Sequence, residues 1–227
     1  MRWGLLFLMV VVLVGCQKHA KVIKKSRKRL KKLQEVYKAK VLSNIPAKGE
    51  RRLIRCREGS VKEPERQITL VQDDFLRKVV DPNAKTRKTK YLPQSFGTSK
   101  EMRRMAMDPK FYPLSFKKHI DNLERRRYLG VFLTDLWQTG KMRGKKIIRP
   151  ARYKGWFALY DLKTGKIKTQ FPIHVRSARY LTVWRKRGYK PNWGRAFRKS
   201  ISGALGQWTN KYLKRYCPFV TVDSNPN

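Results

Sequence analysis

Ten consecutive residues, Tyr128-Leu129-Gly130-Val131-Phe132-Leu133-Thr134-Asp135-Leu136-Trp137, are mostly apolar at odd and even positions alike. An extended strand sends successive side chains to opposite faces, so this run must be covered on both sides. It predicts a central strand. Downstream, residues 155–162 and 166–175 flank the glycine-bearing turn Lys163-Thr164-Gly165 and predict a β-hairpin over about 155–175. Its second arm alternates, with Ile167, Phe171, Ile173 and Val175 inward and Lys166, Lys168, Gln170 and His174 outward. Residues 180–184 are a further strand candidate. Lys190-Pro191-Asn192 then introduces a long helix over about 193–216, capped by Asn192. Its apolar stripe is Phe197, Ile201, Ala204, Leu205, Trp208, Tyr212 and Leu213. Gly203 and Gly206 within it suggest that another backbone approaches closely.

The first half is less regular. Residues 22–42 predict a basic helix whose narrow apolar stripe is Leu30, Leu33, Tyr37 and Val41. Residues 52–57 and 67–71 are short strand candidates, and Asp73 opens a capped helical turn ended by Asp81-Pro82. Residues 83–113 read as a long surface loop, and Ser115 as the cap of a helix through about Arg127 with Phe116, Ile120 and Leu123 on one face. The expected class is α+β: an antiparallel sheet with helices, including the C-terminal one, on one face, preceded by the basic N-terminal helix. The expected organisation is a signal segment over 1–15, a basic helical tether over 16–48, one α+β domain over 49–222 and a tail over 223–227.

Charge narrows the partners. The chain carries 56 Lys+Arg against 15 Asp+Glu, a formal net charge of +41. Self-repulsion of that size lowers stability unless counterions or an anionic partner screen it. Two basic runs interleave with aromatics. One holds Lys145, Lys146, Arg149 and Arg152; the other holds Arg176, Arg179, Tyr180, Trp184, Arg185, Lys186 and Arg187. Such runs offer cations to phosphates and rings to sugars or bases. If both flank one edge of the hairpin they form a continuous track for an anionic polymer. Lipopolysaccharide, peptidoglycan and nucleic acid all meet that description, as does an anionic protein partner.

The N-terminus is more specific. Leu5 to Val14 is an uninterrupted apolar run of ten residues, too short to span a bilayer but matching the core of a secretory signal. It ends in Leu13-Val14-Gly15-Cys16, which resembles the lipobox of bacterial lipoproteins. The resemblance covers only residues 1–16. It implies cleavage before Cys16, diacylglycerol on the Cys16 thiol and acylation of the new N-terminus, an anchor worth ~0.8 kcal/mol per buried methylene. Gln17 stands where the resemblance would put Asp for inner-membrane retention, which implies an outer-membrane anchor facing the periplasm. With Cys16 assigned to lipid, Cys56 and Cys217 remain as a pair, and export implies a disulfide between them. A second reading starts from Lys18, Lys21, Lys24 and Lys25, because cations just after an apolar run resist translocation. On that reading the chain is a membrane-anchored, cytoplasm-facing, non-specific nucleic-acid-binding protein with two free thiols.

Catalytic patterns are missing. The sequence has no GxSxG, HExxH, GxxxxGK[ST] or GxGxxG. His19, His119 and His174 have no acid or cysteine at a spacing that proposes a triad, and no Cys/His spacing proposes a metal. Asp135 and Asp161 are the acids within predicted strands and the one pair to weigh for glycoside hydrolysis. A turn role for Asp161 and an arginine partner for Asp135 are the simpler expectations. The sequence therefore predicts a non-enzymatic envelope lipoprotein without cofactor, metal or small-molecule substrate, held by Cys16 and engaging anionic polymers or partner proteins.

Overall fold

The computed structural model describes residues 2–56, 67–81, 102, 113–144, 146–181 and 192–222. Its elements in chain order are α1 (Arg2–Lys40), β1 (Gln67–Gln72), α2 (Asp73–Val80), α3 (Pro113–Arg125), β2 (Tyr128–Gln138), β3 (Lys141–Arg143), β4 (Lys146–Arg149), β5 (Arg152–Asp161), β6 (Ile167–Arg176), α4 (Trp193–Tyr216) and β7 (Thr221–Val222). Five strands form one sheet in the order β6-β5-β2-β1-β7, and β3 with β4 forms a separate ribbon. The α+β class expected from the sequence is the class observed. The sheet is mixed: β2 pairs antiparallel with β5 but parallel with β1, which is parallel to β7. Parallel neighbours need a crossover, and α2 and α3 lie within the one joining β1 to β2.

Helices cover both faces, which corrects the expected one-sided arrangement and explains why β2 is buried and apolar at successive positions from Tyr128 to Leu133. On one face Phe132, Phe157, Phe171, Ile173 and Val175 pack with Phe197, Ile201, Leu205 and Leu213 of α4. On the other, Leu129, Val131, Leu133, Ala158 and Tyr160 pack with Leu33, Tyr37 and Val41 of the α1 end, Phe75, Leu76 and Val79 of α2, and Ile120 and Leu123 of α3. Met102, within the expected loop over 83–113, is fully buried in this second core; the rest of residues 83–112 lies outside the described residues. Burying a side chain such as Phe157 contributes about 1.5–3 kcal/mol. Its ring sits 5.4 Å from Phe132 and 5.0 Å from Phe171, so one aromatic column crosses three strands.

The β5–β6 hairpin forms as expected. Gly165 takes φ +72 in its turn, and the Asp161 carboxylate accepts the Lys163 N–H at 2.9 Å. A register shift at Leu159/Tyr160 alters the predicted faces: Leu159 faces Thr169 but Tyr160 faces Ile167, leaving Lys168 unpaired. This bulge turns Ile167 toward the second core, while Gln170, expected outside, is buried opposite Ala158 because that face of the sheet is covered too.

Other expectations change for local reasons. Residues 52–56 form a single bridge between Ile54 and Gln170 rather than a strand. Helix α3 starts at Pro113, a residue suited to a first helical position, so Ser115 lies inside the first turn. Gln72 holds the cap position of α2 but its side chain makes no capping bond, its amide donating to Thr134 Oγ1 at 3.4 Å instead, and Asp73 and Asp74 occupy the first turn. Asn192 caps α4 as expected, its side chain accepting the Arg195 N–H at 2.9 Å. A Cβ at Gly203 or Gly206 would meet nothing within 4 Å, so among the described residues no backbone approaches there. Tyr180 and Leu181 are not in a strand, and residues 182–191 lie outside the described residues.

Cys56 and Cys217 form a disulfide with Cα atoms 5.0 Å apart. It joins the segment before β1 to the residue after α4, and Cys56 N–H also donates to the Tyr216 carbonyl at 2.9 Å.

Candidate anion-binding surface and an acid-lined cavity

The separate ribbon brings the first basic run into order. Gly144, at φ +60, reverses the chain between β3 and β4. Pairing then sets Lys141 opposite Arg149 and Arg143 opposite Lys146. Where β5 emerges from this excursion, Arg152 lies directly opposite Arg176 at the end of β6. Like charges directly opposite on a sheet are unfavourable. Three such pairs follow one another here, and no ion pair among the described residues reaches any of their members. Arg152 Nε is buried without an acceptor among the described residues.

Hydrogen bonds fix the geometry of this end. The Ala151 N–H donates to Ser177 Oγ at 3.1 Å, and the Ala178 N–H donates to Ser200 Oγ of α4 at 2.8 Å. Arg176 and Arg179 thereby flank a segment held against α4 about two turns in from its start, and the first turn of that helix contains no acid. Of the residues expected to bind an anion, Lys146, Arg149, Arg152, Arg176 and Arg179 are described; Lys145, Arg185, Lys186 and Arg187 lie outside the described residues. The exposed side chains of Lys141 and Arg143 belong with them; Arg143 opens the basic run read from the sequence, whereas Lys141 was overlooked because no strand was expected between 138 and 152.

A groove of about 350 Å³ continues from Arg176 between β6 and α4, lined also by His174, Gln207, Trp208 and Lys211. Trp208 donates from Nε1 to the Pro172 carbonyl at 3.3 Å and stacks on Tyr212, which stacks on Phe171. The indole is therefore part of a rigid aromatic stack whose outer member lines an open groove. Sequence reasoning placed Trp208 in the core-facing stripe; the groove exists because β6 is an edge strand.

A second cavity, about 470 Å³, is polar. It forms where β2 bulges at Asp135, between Thr134 opposite Gly155 and Leu136 opposite Lys154. Gly155 is required there, since a Cβ would drive into the Leu133 carbonyl oxygen. The bulge aims Asp135 at Arg51, 2.7 Å away, and both side chains are under 10% exposed (9% and 8%). Asp73, Asp74 and Arg77 of α2 complete the lining with Lys48. Burial, then the neighbouring Asp74 charge, pushes the Asp73 carboxyl up to about 6, against hydrogen bonds from backbone and the Arg77 charge. Burial also pushes the Tyr153 phenol up.

The carboxylate pair weighed for glycoside hydrolysis is not assembled. Asp161 pairs across from Tyr128, seven residues along β2 from Asp135, or about 23 Å at ~3.3 Å per residue. That is beyond the span of either glycosidase mechanism. Asp161 instead serves its turn and meets Arg127 at 3.1 Å. Among the described residues no three His, Cys, Asp or Glu side chains are placed to hold a metal, and no helix is long and apolar enough to cross a membrane.

No protein-family model matches the chain, and no curated protein matches it. Among solved structures it is similar to a chain of the PelC dodecamer from Paraburkholderia phytofirmans, at 10% identity and a TM-score of 0.29, over 68% of this chain and 94% of that one.

Proposed function

We propose that this chain is a non-enzymatic bacterial envelope lipoprotein, acylated at Cys16 and facing the periplasm from the outer membrane. Its domain binds an anionic glycan polymer, bearing phosphate or carboxylate, along the surface from the β3–β4 ribbon through Arg152 and Arg176 to Trp208. The observation that carries the binding role is the facing pair Arg152 and Arg176, unneutralised among the described residues and continuous with an aromatic-lined groove. Cations neutralise the polymer's charge, while an indole face suits the apolar face of a sugar ring. The Cys56–Cys217 disulfide supports export, because such bonds persist in oxidising compartments, and it leaves Cys16 as the unpaired cysteine of the three.

Two measurements test this reading together. Metabolic palmitate labelling is expected in the wild type and absent in Cys16→Ala; unlabelled wild type overturns the anchor. Binding of the detergent-solubilised chain to lipopolysaccharide and peptidoglycan at 150 mM salt is expected to fall at least tenfold in Arg152→Gln/Arg176→Gln and in Trp208→Ala. Tighter binding to DNA than to either glycan, with a steep salt slope and no effect of Trp208→Ala, would establish the nucleic-acid reading instead.

A further inference from the structure

Lysines dominate the outer face of α1, and its inner face is already occupied. Leu33, Tyr37 and Val41 are buried in the second core, with Leu30 packed against it. Arg29 grips α3 by pairing with Asp121 at 2.6 Å and with Glu124, and Gln34 donates to the Val79 carbonyl of α2 at 2.6 Å. Ser26 is also buried. The segment expected as a tether is therefore a fixed part of the domain from about Ser26 onward. Its apolar stripe is unavailable to lipid, so α1 cannot lie in a bilayer as an amphipathic interfacial helix would.

Cations make up most of what α1 leaves exposed among the described residues, beside Ala20, Glu35, Val36 and Ala39. Lys21, Lys24, Lys25, Lys28, Lys31, Lys32 and Lys38 are exposed, with Glu35 the acid among them. Their three- and four-residue spacing gathers most of them on the side opposite the core, and the like charges four apart repel one another. A flat, continuous anion opposite this face would relieve that repulsion. The same helix begins with the apolar run Leu5 to Val14 and Cys16, residues suited to a membrane. A cationic face that starts within two turns of such a segment lies within reach of headgroups.

We infer that the lysine face of α1 is an electrostatic docking surface for an anionic phospholipid bilayer, and that α1 is a rigid bracket between membrane and domain. Contact is through headgroups alone, with no insertion by this face. The inference does not rest on acylation at Cys16 or on glycan binding, since the lysine face is the same in either compartment.

The test uses the full chain carrying Cys16→Ser, so that lipid anchoring plays no part. Partition onto vesicles with 30% phosphatidylglycerol is compared with partition onto pure phosphatidylcholine, which measures any contribution of the apolar run by itself. Lys24→Gln/Lys28→Gln/Lys31→Gln/Lys32→Gln removes four cations from the α1 face with little change in helix propensity. Lys141→Gln/Lys146→Gln/Arg149→Gln/Arg176→Gln removes four elsewhere. Each cation at an anionic bilayer strengthens binding roughly fivefold. The α1 variant should therefore lose its preference for anionic vesicles at least a hundredfold, and the other variant under threefold. Equal losses in the two variants, or an undiminished preference in the α1 variant, would overturn the inference. A nitroxide at Lys28→Cys should be relaxed by headgroup-chelated nickel, whereas one at Lys146→Cys should not. This readout removes a single charge, and equal relaxation at both positions would also overturn the docking surface.

Discussion

Asp73 occupies the first turn of α2, where a carboxylate complements the helix dipole, yet burial outweighs that benefit and raises its pKa to about 6. Oδ1 has no partner among the described residues. A carboxyl whose folded pKa lies above its unfolded value binds more protons folded than unfolded. Its contribution to stability is therefore best below about pH 4 and is lost as pH rises through about 6. The shift of about two units corresponds to about 3 kcal/mol. Asp73→Asn keeps the oxygen that accepts from backbone and removes the charge. It should raise stability at pH 7 by about 2 kcal/mol and flatten the fall between pH 4 and 7, measured by urea unfolding at each pH. Unchanged pH dependence in the variant would mean that Asp73 titrates normally. Nothing in the sequence marks Asp73 for burial; that follows from the packing of α2 against β2, which is visible only in the fold.

At the scale of elements, legibility follows the range of the contacts involved. The β5–β6 hairpin and α4 are local: alternation, a glycine turn and an asparagine cap within a few residues determine them. The docking of α1 is not local, since Tyr37 and Val41 meet residues from α2, α3, β2 and β5. A narrow stripe of four apolar residues looks the same on a tether and on a core helix. The same limit applied to the candidate site. Arg149, Arg152, Arg176 and Arg179 could be named from composition, but only strand register shows that Arg152 faces Arg176. Because α1 completes the second core, Tyr37→Ala should behave as a core truncation and cost about 3–5 kcal/mol. Chemical denaturation checks this. A loss below 1 kcal/mol would return α1 to the role of a loosely held tether and remove the rigid bracket with it.

For the whole molecule the governing problem is how a net charge of +41 remains folded. Two apolar cores, one on each face of a single sheet, supply the driving force, and the sheet's central strand belongs to both. Opposing this, cations face cations on the β3–β4 ribbon and at the Arg152–Arg176 pair, and stack along α1. Repulsion of this kind favours an expanded chain more than a folded one. The disulfide acts on that expanded state. It links residues 161 apart in sequence, so it shrinks the unfolded ensemble and by loop closure alone is worth about 5 kcal/mol. That is comparable to the entire stability of many domains, which lies at about 5–15 kcal/mol. Cys217→Ser, or reduction of the wild type, should therefore lower unfolding free energy by at least about 3 kcal/mol. The deficit should narrow as salt rises from 50 to 500 mM, because screening compacts the unfolded chain and relieves the folded one. Unfolding in guanidinium would obscure the salt term, so urea is the denaturant to use. A change under 1 kcal/mol at low salt would show that the two cores hold the chain's ends together unaided, and that the bond adds little to a fold already closed by packing.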